Sequence, residues 1–344
     1  LLAGCTIGPD YKRPPVTEVP TFRGQSATEA ASLADLPWWD AFEDPILKTL
    51  IQEALTSNYD VKIAAARIQE ARAQVGVARS QFFPQIGYNF DVARSRNPVA
   101  AFGIPSNLTQ DTTTNFFLGA LSAQWELDIW GRIRRSSEAA TANLLATEEA
   151  RRGMWLSLVS DLAQAYFELL ALDVQLQIAR DSAQAFQGTY DLFQDRLRFG
   201  LASHLQTARA EGALGGAQAN IPEFENRVVA KENQISILLG KAPAPIPRGT
   251  PMYGQPVVPT VPAGGQPVVP TVPAGLPSTL LQRRPDLRQV EQQLVRANAQ
   301  VGVAKAEFFP KLNLTGILGT ASPEMAAITS GGSLVWAVAA GLAG

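Results

Sequence analysis

The longest regularity in the chain is a stripe of apolar residues. Trp155, Leu158, Leu162, Ala165, Leu169, Leu172, Leu176, Ala179, Ala183, Phe186, Tyr190, Phe193 and Leu197 follow one another in steps of three and four. Such steps return to one face of an α-helix, and keeping them up over about six heptads marks a coiled-coil seam. Extended back to Gly131, the pattern predicts a helix of about 70 residues, near 105 Å, longer than any compact core needs. It must project. Phe199-Gly200-Leu201-Ala202-Ser203 interrupts it with a glycine and a candidate capping serine. A second helix returns through Leu214, Ala217, Ile221, Phe224, Val228, Ile235 and Leu238, with a kink expected at Pro222. The predicted α-hairpin spans 131–240.

A second pattern is written twice. Val75-Gly76-Val77-Ala78-Arg79-Ser80-Gln81-Phe82-Phe83-Pro84 returns as Val301-Gly302-Val303-Ala304-Lys305-Ala306-Glu307-Phe308-Phe309-Pro310. The similarity reaches back to Asp60 and Asp286, so the chain is read as two copies of one unit. Both carry a seam at helical spacing: Val61, Ala64, Ile68, Ala71, Val75, Ala78 and Phe82, then Leu287, Val290, Leu294, Ala297, Val301, Ala304 and Phe308. Each predicts an amphipathic helix of about 24 residues stopped by its proline.

After each proline the period falls to two. Ile86, Tyr88, Phe90 and Val92 alternate with Gln85, Gly87, Asn89 and Asp91. Phe117, Gly119, Leu121, Ala123, Trp125 and Leu127 share one face of a second strand, and Leu312, Leu314, Gly316 and Leu318 begin the second copy. Apolar-out, polar-in strands of about ten residues fit a membrane β-barrel. A half-buried sheet in a soluble α+β domain shows the same alternation, and the strands alone do not choose between them. Residues 325–344 carry no charge and could also be read as a membrane helix, although Gly331-Gly332 and the repeat register point to a strand.

Composition narrows the chemistry. The single histidine, His204, and single cysteine, Cys5, leave no room for a catalytic triad, a Cys/His metal site or a disulfide framework. No catalytic residue, metal ligand or cofactor is expected. Charged residues make up only 17% of the chain, which suits a surface hidden in partners or lipid, and the net charge of −2 gives no argument for nucleic acid. Leu1-Leu2-Ala3-Gly4-Cys5-Thr6 resembles a lipoprotein cleavage box, with 1–4 the remnant of a signal peptide and Cys5 the lipidated residue. An ordinary buried cysteine is the plainer alternative. Pro9, Pro14, Pro15, Pro20 and Pro37 make 5–44 an extended tether, and Asp44-Pro45 reads as a helix start. Residues 251–275 form a prolyl linker in which an 11-residue stretch, Gly254 to Gly264, is repeated unchanged.

Trp38-Trp39-Asp40, the run Trp125 to Arg132, Phe199 to Ser203, Leu276-Pro277 and Leu281-Gln282-Arg283-Arg284-Pro285-Asp286 together resemble the outer membrane factors, the TolC-like efflux channels, in their lipoprotein (NodT-type) branch. The resemblance implies a mainly α fold with membrane β-hairpins. Three copies would share a 12-stranded β-barrel continuous with a periplasmic α-barrel. It implies a passive export duct working with a periplasmic adaptor and an inner-membrane pump, and Phe199, Gly200, Leu201, Ala202 and Ser203 as the adaptor-docking tip. Ile86, Tyr88, Phe90, Val92, Phe117, Leu121 and Trp125 would face outer-membrane lipid, and Thr6 after Cys5 fits outer-membrane sorting. The expected division is a first repeat over 45–250 (β-hairpin 85–128) and a second, truncated repeat over 276–344, with a helix at 286–309 and strands from 312 and 333. A lipidated periplasmic adaptor with a coiled-coil hairpin is the alternative.

Overall fold

Asp44 begins an α-helix for a local reason. Its carboxylate accepts the Ile46 (2.9 Å) and Leu47 (3.2 Å) amides, and Pro45 at the first helical position has no amide to satisfy. A computed structural model describes residues 6–15, 44–97, 112–249 and 283–343. Their order is α1 (Pro45–Ser57), α2 (Tyr59–Ser80), β1 (Gln85–Asn97), β2 (Thr112–Leu127), α3 (Arg132–Arg198), α4 (His204–Leu238), α5 (Pro285–Ala306), β3 (Lys311–Ser322) and β4 (Leu334–Ala343). Two short 3₁₀ turns, Met325–Ala327 and Gly331–Ser333, join β3 to β4. Cys5, the Trp38-Trp39-Asp40 motif, residues 98–111, the duplicated stretch and Leu276 to Gln282 lie outside the described residues.

The chain divides into two units. The first lies within Val16–Arg67 and Glu148–Arg288 and has an apolar core of Leu47, Ile51, Leu162, Leu169 and Ile235 around the fully buried Tyr166. The predicted seam of α3 is buried from Leu158 to Ala183 except at Leu172 and Leu176, which are half-buried. Beyond that, Phe186 is 42% exposed and Tyr190, Phe193 and Leu197 are half-buried, because only α4 lies opposite and two helices cannot cover a full stripe. Asn58 ties three helices: its Oδ1 accepts the Asp60 and Val61 amides, and its Nδ2 donates to the Leu238 carbonyl (2.8 Å). α4 passes through Pro222 as one element. It ends at Gly240, whose φ of +69° lets Lys241 N–H return to the Ser236 carbonyl.

The second unit lies within Leu1–Pro15, Ile68–Thr147 and Gln289–Gly344. Its four strands form one antiparallel sheet in the order β1-β2-β3-β4. The two expected strand pairs are therefore joined, with β2 paired to β3 from Phe117↔Ser322 to Leu127↔Leu312. The stretch considered as a membrane helix is instead two 3₁₀ turns and β4, and no described helix is long and apolar enough to cross a membrane.

Both helices that precede strands stop earlier than their prolines suggest. α2 ends at Ser80 and α5 at Ala306, after which Phe82, Phe83, Phe308 and Phe309 donate to carbonyls three residues back. A residue before proline is pushed out of the helical region, so the last turn tightens first. The seam of α2 is buried as expected at Val61, Ile68, Ala71, Val75 and Ala78. That of α5 is not. Its buried residues are Ala299, Gly302 and Ala306, whereas Val290, Leu294, Val301 and Phe308 are exposed. The N-terminal segment, residues 6–15, decides this by pressing Gly8 against Gly302 (below).

Candidate functional site

Three surfaces expected from the sequence are in view: the apolar face of the sheet, the turn between the long helices, and the N-terminal segment. On the sheet, the register puts Ile86 opposite Ala123, Tyr88 opposite Leu121, Phe90 opposite Gly119 and Val92 opposite Phe117. It continues through Leu121↔Leu318↔Trp336 and Ala123↔Gly316↔Val338. These rows give one continuous apolar face over all four strands. Described side chains leave it uncovered: Tyr88 is 89% exposed, Ile86 78%, Val338 78% and Trp336 70%. A half-buried sheet would have hidden this face. Of the seven strand residues singled out from the sequence, Phe117 and Trp125 are half-buried and the others exposed.

The face has distinct ends. At the end remote from the helices, Arg94 and Arg96 continue the same strand face as Val92, opposite Asn115 and Thr113. At the helix end an aromatic group gathers. The Trp125 indole N–H donates to the Phe82 carbonyl (3.0 Å), and that of Trp130 donates to the Pro310 carbonyl (2.9 Å). Trp130 also stacks on Phe309 at 4.8 Å.

The opposite sheet face is polar towards the helices, with Gln85, Gln124, Glu126, Lys311, Asn313 and Thr315. There the Arg132 guanidinium grips Glu126 through two bonds of 2.7 and 2.8 Å and reaches Gln81 at 3.4 Å. Lys311 pairs with Glu307 at 2.6 Å, which holds the Glu307 carboxyl below its ordinary range. The hydrogen bond to Glu126 raises the Arg132 pKa, keeping this cation charged. Asp128 caps α3 by accepting the Ile133 and Arg134 amides, each at 3.0 Å. The motif from Trp125 to Arg132 is thus the joint between sheet and helix. Its sequence signal was visible, its internal bonding was not.

The turn Phe199 to Ser203 is made by two opposed caps. Gly200, at φ +74°, closes α3, with Leu201 N–H donating to the Arg196 carbonyl (2.7 Å). Ser203 opens α4 with a capping box, accepting the Gln206 amide while the Gln206 side chain accepts the Ser203 amide. With its backbone so satisfied, the turn displays Phe199 (74% exposed), Leu201 (77%) and, next to it, Leu205 (61%).

The N-terminal segment had been expected only as a tether. Over residues 6–15 it is a strap bonded to the second unit. Ile7 N–H donates to the Trp130 carbonyl (3.0 Å), Asn298 to the Pro9 carbonyl (2.8 Å), and Arg13 forms a two-pronged pair with Glu291. Arg135, almost wholly buried, is held by Asp10 (2.6 Å) and Glu138 (2.8 Å). Two glycines allow this approach. Gly8 sits at φ +105° with its α-carbon against Gly302, and a Cβ on Gly302 would lie 2.9 Å from Arg135 Cγ and 3.0 Å from the Ile7 carbonyl. Among the described residues no group of His, Cys, Asp and Glu could hold a metal ion.

Comparison with known proteins agrees with this layout. The family model described as outer membrane efflux protein matches residues 50–241 and 276–343. The cation efflux system protein CusC of Escherichia coli is 34% identical over 97% of this chain and 69% of that protein. The probable efflux pump outer membrane protein TtgC of Pseudomonas putida is 32% identical over 98% of this chain and 68% of its own length. The probable outer membrane lipoprotein SilC of Salmonella typhimurium is 33% identical over 98% and 69%. Among solved structures, one of CusC superposes with a TM-score of 0.76 at 31% identity, covering 98% of this chain and 72% of that one. The open state of the Neisseria gonorrhoeae MtrE outer membrane channel gives 0.79 at 29%, covering 98% and 72%.

Proposed function

This chain belongs to the outer membrane efflux protein family, and from that membership we propose that it is one of three subunits of a lipid-anchored export duct. The observation that carries the proposal is the sheet: four strands, an uncovered apolar face, and two edges, β1 and β4, with no partner strand among the described residues. In hydrocarbon an unpaired edge costs several kcal/mol per backbone group, so strands enter a membrane only as a closed barrel. Four are too few to close, since the smallest single-chain barrels have about eight. Three copies supply twelve, β1 of one pairing with β4 of the next.

The apolar face has the right height. From Phe117 to Leu127 it runs about 33 Å along β2, or roughly 25 Å at the tilt usual for barrels. Arg94 and Arg96 then stand at one rim, and Trp125, Trp130 and Phe309 at the other, where aromatic side chains favour the interface. Ile86, Tyr88, Phe90, Val92, Phe117, Leu121 and Trp125 contact lipid. Cys5, one residue before the strap, carries the acyl chains. The two helix-and-strand-pair segments are the two repeats, and the α3–α4 hairpin contributes to a periplasmic α-barrel.

The exposed apolar side chains at the tip, Phe199 and Leu201, dock a periplasmic adaptor that joins the duct to an inner-membrane pump. The step through this component is passive diffusion. Relatives bear names that refer to cations, toluene and antibiotics. This chain's cargo is a small molecule selected by the pump. Native mass spectrometry of the protein extracted from outer membranes tests the assembly. A mass of three chains is expected, and Trp336→Arg, which puts a cation into the apolar face at a cost of about 2–4 kcal/mol near mid-membrane, abolishes it. A stable monomer from the wild-type protein, or an undiminished three-chain mass from the variant, overturns the reading.

A further inference from the structure

Within the sheet-bearing unit, α2, α3 and α5 enclose an open cleft of about 380 Å³ whose polar lining is Gln74, Ser136, Asn143, Arg296 and Gln300. Its position follows from helical periodicity. Residues four, seven and eleven apart share a helix face. Ser136, Ala139 and Asn143 stand in that relation to Arg132. Val303, Gln300 and Arg296 stand in it to Glu307, and Gln74 lies seven before Gln81. Arg132, Gln81 and Glu307 are the residues gathered beside Glu126 and Lys311 on the polar face of the sheet. The strap instead holds Glu291, Asn298 and Gly302, a different face of α5. The cleft therefore continues the polar face and is turned away from the strap.

Its chemistry is donor-rich. Near the sheet each cation has an acidic partner: Arg132 with Glu126, and Lys311 with Glu307. Arg296 is bonded to the neutral Asn143 side-chain oxygen (2.9 Å), and among the described residues no carboxylate lies within ion-pair distance of it. That bond leaves the Asn143 amide nitrogen free to donate, beside the amides of Gln74 and Gln300 and the Ser136 hydroxyl. A guanidinium ringed by neutral donors suits a carboxylate or sulfonate. We propose that this cleft is an anion-binding station on the inner wall of the duct, which holds small organic anions weakly as they pass. The inference rests on the duct reading, since only then is the polar face an inner wall.

Single-channel recording in planar lipid bilayers, with naphthalene disulfonate as the probe, tests it. Wild-type channels are expected to show transient blockades by the disulfonate. Arg296→Gln should open normally but lose most blockades, roughly tenfold, the size expected for one charge-assisted hydrogen bond. Arg296→Lys should keep a substantial part. Lys12→Gln, which removes the same charge from the strap, should behave as wild type. Equal blockade of wild type and Arg296→Gln, or an equal loss in Lys12→Gln, overturns the proposal while the channel reading stands. Failure of the wild-type protein to conduct overturns both.

Discussion

At Gly249 only a hydrogen atom fits. A Cβ there would overlap the carboxylate of Asp44, which caps α1 and accepts the Tyr166 hydroxyl at 2.9 Å, while that hydroxyl accepts the Gly249 amide at 2.9 Å. Asp44 and Tyr166 are fully buried, so each depends on the other's hydrogen bonds. Gly249→Ala and Tyr166→Phe should each destabilise the fold by about 1–3 kcal/mol, read as a lowered midpoint of thermal unfolding in detergent. Burial raises the Tyr166 pKa well above its ordinary value, with the bond to Asp44 adding to the rise. The folded state then holds this proton more tightly than the unfolded chain. Its stabilisation is complete below about pH 10, the unfolded value, and declines as pH rises beyond it. Tyr166→Phe should flatten that alkaline decline, and a slope equal to wild type would exclude Tyr166 as its source. The cap at Asp44 was legible in the sequence, but its bond to Tyr166 and the fit at Gly249 were not, because Tyr166 lies off the seam and its partners are 122 and 83 positions away.

Periodic features read well at the scale of elements, because each residue repeats the same signal. The α3 seam, both helix-to-strand switches at Pro84 and Pro310, and the alternation of β1 were all visible, and strand bounds differ by a residue or so. What failed were features fixed by distant contacts. The β2–β3 pairing has no local mark, and the face α5 buries is chosen by a strap 289 positions earlier, where Pro9 meets Asn298. Gly302→Ala should push the strap off α5 without unfolding it, seen as faster proteolysis between residues 6 and 15 with unchanged helix content. At the turn, Ser203→Ala should cost about 0.5–2 kcal/mol through its cap. On the proposed docking at the tip, Leu201→Asp should leave stability unchanged and reduce crosslinking to a periplasmic adaptor. Equal loss of crosslinking in both variants would make the turn's shape, and not its exposed side chains, the feature the adaptor reads.

For the whole molecule, the uncovered apolar sheet face is the feature that the proposed assembly explains. The residues that make it were legible one strand at a time. Its continuity across four strands was not, because that continuity depends on the β2–β3 register. A soluble monomer exposing Tyr88, Ile86, Trp336 and Val338 together would aggregate, since so broad an apolar surface requires a cover. On the proposed reading lipid is that cover, and sister copies would satisfy the two edges. The central claim is this division between a lipid-facing and a water-facing side of the same strands. Spin labels placed one at a time along β2 in reconstituted protein, from Phe117 to Leu127, measure it directly through collision with oxygen, which dissolves in lipid, and with a nickel chelate, which stays in water. The account predicts strict alternation, with labels at 117, 119, 121, 123 and 125 favouring oxygen and those at 118, 120, 122 and 124 the chelate. Equal access of the chelate to both sets would contradict it.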